Sequence, residues 1–473
     1  MAIKTLHLTN YWHERSGGIA TFYRQLMDAA NDHGRRMVLV VPGERDEVRE
    51  VGACCRIYKL AAPPSPLNRE YRTIYPKDFL LPASKIQRIL AEERPDLVEI
   101  CDKYSLVHLG SLLRAQLLQG VDFRPVVLGL SCERMDENFA AYVSRSDLGQ
   151  SFSRFYMRHV YFPAFDHHIA ISENTAAELK AVAHGHMVPR GVWIRPMGVV
   201  VEHFSPDNRN TELRRKLLSR GAAPADGVLL LYVGRLVPEK NLDLLISTLA
   251  ELQKTNQNFR LIIAGDGIAR DSLQRAAKLE SPGKVVFVGH VSSRDELAQL
   301  YASCDLFVHP NPAEPFGIAP LEAMASGLAL IAPDRGGVAS YANGANAYLA
   351  LPTPQGFAEA IRLACLDSAE TNRKTAVARK TAEALAWPRV TAAFFDLYDT
   401  LHRLISRQEP IESAQPAFIS SAAEKARTEC LTLAADLARN SFRAYDWLHP
   451  RKGTIHLGNR GQYQNELKDM QIQ

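Results

Sequence analysis

Two glutamates stand eight positions apart in residues 312–327, where an apolar run gives way to a loop and then to a helical pattern. Glu314 falls in the loop and Glu322 on the helix. Open parallel sheets bind ligands in the loops at the carboxyl ends of their strands, and the N–H groups at a helix start favour anionic or polar oxygens. Two carboxylates placed there suit the hydroxyl groups of a sugar. The alternative is a helix-capping acid followed by an exposed helix glutamate.

Two cations follow another apolar run, in residues 232–241. Gly234 lets the backbone approach a ligand closely, while Arg235 offers a bidentate fork and Lys240 a point charge to phosphate oxygens. These residues outline a clamp for a diphosphate. Surface cations with solvated heads are the alternative, and the position directly after a strand favours the clamp.

A glycine pair, Gly17 and Gly18, follows the first apolar run and precedes a helical segment. A loop of this kind can present N–H groups to a phosphate or hydroxyl oxygen across a cleft. A simple strand-to-helix turn is the alternative, because the pair lacks the G-x-G-x-x-G spacing of a dinucleotide-binding loop.

The elements that must position these loops alternate along the chain. Short apolar runs predict strands at 4–9, 36–41, 97–101, 126–131 and 168–172, and again at 228–233, 259–264, 284–288, 304–309 and 328–332. Helical segments lie between them, a pattern typical of parallel sheets covered by helices. The sequence therefore predicts an α/β protein with two Rossmann-like domains, 1–200 and 207–387. A polar linker at about 200–224, an amphipathic helix at 388–406 and a tail of unassigned role, 407–473, complete the chain.

Composition excludes several other classes of protein. The 473 residues are 46% apolar and 23% charged, which is the balance of a globular chain. The net charge of +4 is spread along the sequence, so we expect no nucleic acid partner. Seven cysteines without a C-x-x-C pair, a start unlike a leader peptide and no long uncharged apolar run favour a cytoplasmic protein.

Taken together, these segments resemble the family 4 retaining glycosyltransferases of the GT-B fold, from about residue 5 to residue 404. The glutamate pair matches the family's E-x7-E motif, the segment with Arg235 and Lys240 its phosphate-contacting loop, and the glycine pair its amino-terminal Gly-rich loop. The resemblance implies two domains that face each other across a cleft, the first on the acceptor side and the second binding a nucleotide sugar. The helix at 388–406 is similar to the family's carboxyl-terminal helix, which crosses back to the first domain.

The resemblance also implies a role for each residue of the donor site. Arg235 and Lys240 would hold the donor diphosphate, and Glu322 the ribose hydroxyls. Glu314 would bind hydroxyls of the donor sugar beside the reacting carbon. The remaining donor-binding residues lie in loops or at helix starts, where backbone N–H groups reach the donor: Gly17, Gly18, Gly234, Phe316, Gly317 and Ile318.

Two positions depart from the family's pattern. Cys132 stands where many members place a histidine near the reacting sugar, and a thiol is a poor hydrogen-bond donor to a sugar hydroxyl. Cys132 and its neighbour Glu133 are therefore the catalytic candidates on the acceptor side, unless the match to the family slips at this position or activity is reduced. Val200 stands where the interdomain stretch 197–206 usually has an aspartate. Other candidates for the missing histidine's role are Asp136, His13 and His290.

The resemblance implies a retaining hexosyltransferase that moves a hexose from GDP-mannose or a UDP-sugar to a lipid or glycan acceptor. The acceptor-side segments are similar to those of bacterial α-mannosyltransferases that use GDP-mannose. The chain contains no D-x-D sequence, so we expect Arg235, Lys240 and helix N–H groups to neutralise the diphosphate without a metal ion or cofactor. The alternative is a non-catalytic sugar-nucleotide-binding subunit of a glycan-assembly system.

Residues 64–89 mix five cations with aromatic and aliphatic side chains. Such a surface can lie on an anionic bilayer, which would place the protein peripherally at the inner face of the membrane. The alternative is a long loop and helix with solvated charges, which is the more ordinary kind of surface. In the tail, residues 419–440 predict a helix.

Overall fold

The computed structural model describes residues 2–12, 17–65, 71–142, 147–183, 191–219, 227–254 and 258–406. The strands are β1 (Thr5–Thr9), β2 (Met37–Gly43), β3 (Glu47–Val51), β4 (Cys55–Ala61), β5 (Leu97–Cys101), β6 (Val126–Ser131), β7 (His167–Ala170), β8 (Val192–Ile194), β9 (Val228–Val233), β10 (Phe259–Ala264), β11 (Val285–Gly289), β12 (Leu306–Val308), β13 (Ala329–Pro333) and β14 (Tyr348–Ala350).

The helices of the first domain are α1 (Gly18–Asp32), α2 (Lys77–Leu80), α3 (Lys85–Glu93), α4 (Val107–Arg114), α5 (Met135–Tyr142), α6 (Asp147–Tyr156) and α7 (Glu173–Ala183). The helices that follow are α8 (Thr211–Ser219), α9 (Asp243–Leu252), α10 (Arg270–Glu280), α11 (Arg294–Ser303), α12 (Ile318–Ala325), α13 (Pro354–Leu366), α14 (Ser368–Ala384) and α15 (Trp387–Ser406). Within the described ranges, none of the helices is long and apolar enough to span a bilayer.

The strands form two sheets, one in each domain. The first has the order β3-β4-β2-β1-β5-β6-β7-β8 and is parallel except for β3, which pairs antiparallel with β4. The second has the order β11-β10-β9-β12-β13-β14, and its neighbouring strands pair parallel. Strands β1, β5 and β6 are buried along their whole length, which explains their continuous apolar runs. The predicted α/β class with parallel sheets is confirmed.

Strands β3, β4, β8 and β14 were not predicted. β8 and β14 are only three residues long, and β3 is an edge strand with an exposed centre, so none of these three leaves a strong apolar run in the sequence. The expected linker also contains an unpredicted helix, α8. Its Leu217 and Leu218 are buried, and Arg214 forms an ion pair of 2.9 Å with Asp305, so this segment packs on the second domain.

The chain passes between the domains twice, and the two passages lie side by side. The Val199 N–H donates to the carbonyl of Leu385 at 3.0 Å, and the Trp387 N–H donates back to the Val199 carbonyl at 3.2 Å. The Arg379 guanidinium donates to the carbonyl of Phe204, 2.7 Å away, and to those of Val201 and Ala325. These bonds join α14 and the start of α15 to the interdomain stretch.

Helix α15 packs on the first domain, as the fold class required. Its Phe394 ring lies 4.9 Å from that of Phe22 on α1. Deeper in the core, the Tyr398 hydroxyl donates to Glu99 at 2.5 Å, and Glu99 also lies 3.0 Å from His7 Nδ1. Glu99 is fully buried, so α15 supplies a hydrogen bond that the first domain needs.

Candidate active site

Both sheets reverse their strand order where the candidate residues lie. In the second sheet the reversal falls between β9 and β12, which precede the Arg235 loop and the Glu314 loop respectively. In the first sheet it falls between β1 and β5. Ligands of open α/β sheets bind outside the carboxyl ends of strands at such reversals.

The carboxyl ends of the two sheets face each other. A Cβ added to Gly18, at the start of α1, would lie 2.9 Å from Cδ1 of Ile318, at the start of α12. At a second point, the Glu173 N–H donates to Ser340 Oγ at 3.1 Å. Gly17 precedes α1 with a φ of 116°. The glycine pair therefore lets the start of α1 meet the second domain without a steric clash.

The Glu314 loop is held by a second glycine pair, which follows β13. The Gly337 N–H donates to the Glu314 carbonyl at 2.6 Å. A Cβ at Gly337 would lie 2.0 Å from the Pro315 carbonyl oxygen, and one at Gly336 would lie 2.4 Å from that of Pro312. Any other residue at these two positions would displace the loop.

Lys240 and Glu314 form an ion pair across the two loops. Lys240 Nζ lies 2.7 Å from Glu314 Oε2, and the two side chains are 19% and 15% exposed. Burial by itself would raise the pKa of Glu314, but the charge of Lys240, together with His309 and Asn311, lowers this pKa to about 2. Glu314 is therefore a carboxylate throughout the neutral range. Asn241 Nδ2 also joins the loops, donating to the Pro310 carbonyl at 3.2 Å.

Arg235 points its charge towards solvent at the same edge. Its side chain is 47% exposed, and its guanidinium lies 3.9 Å from Glu239. Its carbonyl accepts from the Tyr232 hydroxyl at 3.2 Å. A Cβ at Gly265 would lie 1.8 Å from the carbonyl oxygen of Gly234, so the loop after β10 supports the Arg235 loop from below.

Glu322 lies on α12 in a largely apolar setting. The Tyr301 hydroxyl donates to Glu322 Oε2 at 2.9 Å. Burial raises the pKa of Glu322 to about 7, and the Tyr301 hydrogen bond and the charge of Arg294 offset only part of this effect. Unlike Glu314, this carboxyl group changes its charge near neutral pH.

The start of α12 combines buried side chains with a special backbone conformation. Gly317 has a φ of 90°, and its carbonyl accepts from the Tyr341 hydroxyl at 2.5 Å. Phe316 is 3% exposed, with its ring 5.1 Å from that of Tyr341. The side chain of Ile318 faces Gly18, as described above. The predicted residues at this helix start thus contribute packing with their side chains, and only their backbone is suited to bind a donor.

In the first domain, Cys132 packs against a second thiol. Its Sγ lies 3.6 Å from that of Cys101 at the end of β5. Burial raises the pKa of Cys132 well above its usual value, and the contact with Cys101 adds to the effect. Cys132 is therefore a neutral thiol, unsuited to accept a proton from an acceptor hydroxyl.

Glu133 is the centre of a polar cluster at the same edge. Its carboxylate accepts from the Tyr11 hydroxyl at 2.6 Å and from Asn138 Nδ2 at 2.8 Å. Burial raises the pKa of Glu133, although both hydrogen bonds and the charge of Lys103 lower it. Tyr104, whose side chain is 42% exposed, accepts a weaker hydrogen bond of 3.3 Å from the same Asn138. An acid, an amide and an exposed aromatic ring here are groups that bind sugars.

The other candidates for the acceptor side are less suited to that role. Asp136 forms an ion pair of 2.5 Å with Arg134, which holds its pKa below the usual range against the effect of burial. His290 is exposed at the end of β11. His13 lies outside the described residues. In the parts of the chain that are described, no group of three or more His, Cys, Asp or Glu side chains could hold a metal ion.

Much of the mixed segment 64–89 belongs to the core. Ile74, Phe79 and Ile86 are buried in the first domain. Arg72 is 3.1 Å from Glu44, and Lys85 is 2.7 Å from Asp46. Residues 66–70 of this segment lie outside the described ranges, as does the tail helix expected at 419–440.

Comparison with known proteins identifies the chain. Residues 16–194 match the family model described as Glycosyltransferase Family 4, and residues 214–381 match the model described as Glycosyl transferases group 1. A GDP-mannose-dependent alpha-(1-6)-phosphatidylinositol dimannoside mannosyltransferase of Mycobacterium tuberculosis is 27% identical over 391 residues, covering 83% of this chain and 94% of the relative. The chain is a family 4 glycosyltransferase.

A further relative of this glycosyltransferase is a GDP-mannose-dependent alpha-mannosyltransferase of Mycolicibacterium smegmatis, 34% identical over 246 residues, or 52% of this chain and 59% of the relative. Among solved structures, a sucrose-phosphate synthase from Thermosynechococcus elongatus aligns with a TM-score of 0.64 at 20% identity, covering 85% of this chain and all of that one. Anabaena HepE in complex with UDP and glucose gives 0.61 at 17%, covering 84% and 100%. These likenesses confirm the GT-B fold.

Several residues of the candidate site were not singled out from the sequence. Gly336 and Gly337 left a readable signal, because a glycine pair after a predicted strand is the same pattern that marked Gly17 and Gly18. Tyr301 and His309 left none, since a tyrosine within a helical segment and a histidine at a strand end are ordinary features. Their position beside the two glutamates follows only from the three-dimensional packing.

Proposed function

We propose that this glycosyltransferase is a retaining hexosyltransferase that moves mannose from GDP-mannose to a lipid or glycan acceptor without a metal ion. The observation that carries the proposal is the group of charges at the strand reversal of the second sheet. An exposed guanidinium, Arg235, lies on the same loop as Lys240, and Lys240 is paired with the carboxylate Glu314. This arrangement has cations for a diphosphate beside a carboxylate for sugar hydroxyls.

The donor would lie with its diphosphate on the Arg235 loop. Arg235 supplies a planar fork, and Lys240 a compact charge, to the phosphate oxygens. The start of α12 adds the positive end of a helix. GDP-mannose is favoured over UDP-sugars because both mycobacterial relatives carry GDP-mannose in their names.

The ionisation of Glu314 fits a retaining mechanism. A carboxyl group with a pKa of about 2 is too weak a base to take the acceptor's proton at neutral pH. Glu314 would instead accept hydrogen bonds from hydroxyls of the donor sugar and fix the reacting carbon. The acceptor oxygen would then attack from the face that the diphosphate leaves and pass its proton to the departing phosphate oxygen, giving net retention. Contact between the domains at Gly18 would exclude water.

The acceptor would bind at the Glu133 cluster. Tyr11 and Asn138 orient the carboxyl group of Glu133, and the exposed ring of Tyr104 offers a face for a sugar. We expect Glu133→Gln to weaken acceptor use strongly, because the amide cannot accept both hydrogen bonds as a carboxylate does. Cys132→Ser should change activity less than about threefold, since a neutral hydroxyl replaces a neutral thiol. Equal losses in both variants would contradict this division of roles.

A lipid-linked acceptor would bring the first domain to a membrane. Phe152 and Phe155 on α6 are 42% and 60% exposed, and Arg154 and Arg158 are exposed beside them. Aromatic rings mixed with cations suit the surface of an anionic bilayer. Vesicles with anionic lipids should bind the protein, and the double variant Phe152→Ser, Phe155→Ser should lose binding. Leu366→Ser, at a site 82% exposed on the second domain, is the matched control and should still bind.

The donor experiment is calorimetric binding of GDP-mannose, UDP-glucose and ADP-glucose in the presence of a chelator. We expect GDP-mannose to bind, and Arg235→Ala to weaken it about 10- to 100-fold, as the loss of charged hydrogen bonds to phosphate would. Nuclear magnetic resonance of the transferred sugar gives the anomer. Metal-dependent binding, a preference for another nucleotide, or an inverted product would refute the corresponding part of the proposal.

A further inference from the structure

Two anionic groups, Glu314 and the donor diphosphate, compete for the ammonium group of Lys240 once a donor binds. In this structure its ammonium lies 2.7 Å from Glu314. Under the proposed function, on which this inference rests, the same ammonium binds the donor diphosphate. A largely buried carboxylate that loses its cation destabilises the protein unless another hydrogen-bond donor takes the place of the cation. Asn311 Nδ2, at 3.4 Å from Glu314 Oε2, gives only a long hydrogen bond.

His309 is placed to be that replacement. It follows β12 and is 4% exposed, and its Nε2 has no hydrogen-bond partner. This Nε2 lies 3.8 Å from Glu314 Oε2, about 1 Å beyond hydrogen-bond distance. Burial lowers the pKa of His309 to about 4, and the charge of Lys240 contributes, so the ring is neutral while the ion pair exists. The ring nitrogen that faces Glu314 is Nε2, and a hydrogen bond between the ring and the Asn311 backbone offsets part of the lowered pKa.

Other polar groups around Glu314 are already committed. The Tyr232 hydroxyl donates to the Arg235 carbonyl, and the Tyr341 hydroxyl to that of Gly317. Burial raises the pKa of both tyrosines, and the charge of Glu314 adds to the shift, so both stay neutral. Arg235 is directed towards Glu239 and solvent.

We propose that His309 is a positioning residue that takes over Glu314 from Lys240 when the donor diphosphate binds. The Nε2–H group of His309 then donates to Glu314 and keeps it ionised and oriented towards the donor sugar. The ion pair and the buried histidine would thus act as alternating partners of one carboxylate.

The first test needs no donor and measures the thermal stability of four proteins at pH 7: the parent, Lys240→Met, His309→Phe and the double variant. Either remaining partner keeps Glu314 ionised in the single variants. We therefore expect the double variant to lose about 2–4 °C more in Tm than the two single losses together. This excess should vanish near pH 5, where Glu314 without partners is protonated. His309→Gln in place of His309→Phe keeps an N–H donor and should remove the excess at pH 7.

The second test titrates GDP-mannose into the proteins in two buffers with different heats of ionisation. His309→Phe should take up close to one proton on binding, whereas the parent and His309→Gln should take up none. At saturating donor, kcat of His309→Phe should fall about tenfold, and His309→Gln should restore most of it.

An additive stability cycle overturns the inference, whatever the donor does. Donor binding to His309→Phe with no proton uptake and a normal kcat overturns it as well. A non-additive cycle in a protein that binds no GDP-mannose would refute the proposed donor, while supporting the exchange of partners at Glu314.

Discussion

Replacement of Glu322 by glutamine should stabilise the fold at high pH while weakening donor binding. Burial raises the pKa of Glu322 to about 7, whereas an unfolded glutamate has a pKa of about 4.3. Between these pH values the folded protein holds a proton that the unfolded chain has lost, so stability falls as the pH rises. At about 1.36 kcal/mol per pKa unit, this interval corresponds to roughly 4 kcal/mol, which partial exposure of the side chain reduces to about 2 kcal/mol.

The Glu322→Gln variant removes this pH-dependent cost and still accepts the hydrogen bond from Tyr301. The Tm of its second domain, compared with that of the parent at the same pH, should become about 4–8 °C more favourable from pH 5 to pH 8. We expect its affinity for the donor to fall about 10- to 100-fold, because the variant lacks the carboxylate that the family resemblance assigns to the ribose hydroxyls. Scanning calorimetry at several pH values and calorimetric titration give the two quantities.

A control variant separates the carboxyl group from its hydrogen-bond donor. Tyr301→Phe removes a hydrogen bond that lowers the pKa of Glu322. In this variant the pH-dependent fall in stability should therefore extend to higher pH than in the parent. A Tm difference between Glu322→Gln and the parent that is constant from pH 5 to pH 8 would refute the reasoning, because both proteins would then lose the same stability over this range.

Two further substitutions test the domain contact and the crossing helix. Gly18→Val should lower kcat without lowering Tm, because the valine side chain would meet Ile318 and hold the domains apart. Ile318→Ala should restore activity in the double variant. A normal kcat for Gly18→Val would show that this contact is not needed. Tyr398→Phe should lower the free energy of unfolding by about 1–3 kcal/mol, because it removes a 2.5 Å hydrogen bond to the buried Glu99. Denaturant titration measures this change. An unchanged stability would mean that Glu99 forms a hydrogen bond with another partner.

The sequence predicted those features that local patterns encode. A strand buried on both faces is a run of apolar residues, and a loop at its end stands out through glycine and charge. Because the ends of neighbouring parallel strands meet at one edge, the Arg235 and Glu314 loops were expected to share a site, and the structure brings them together. Their roles in binding a donor remain a prediction.

Pairings across long stretches of chain were not predictable. Lys240 and Glu314 are 74 residues apart, and Glu99 and Tyr398 are 299 apart. No local pattern specifies such pairs, because they depend on strand order and on how the helices pack. The short strand β14 and the edge strand β3 were not predicted because of their weak local pattern: each contains too few buried residues to form an apolar run.

The bond between Tyr398 and Glu99 has a consequence for the order in which a growing chain folds. The last strand of the first sheet ends at Ile194, but the helix that covers its core is made only after roughly 200 further residues. At a ribosomal rate of about 5–20 residues per second, the first domain waits roughly 10–40 s with Glu99 and the face around Phe22 uncovered. During synthesis the second domain can therefore finish first, and α15 then completes the core of the first domain.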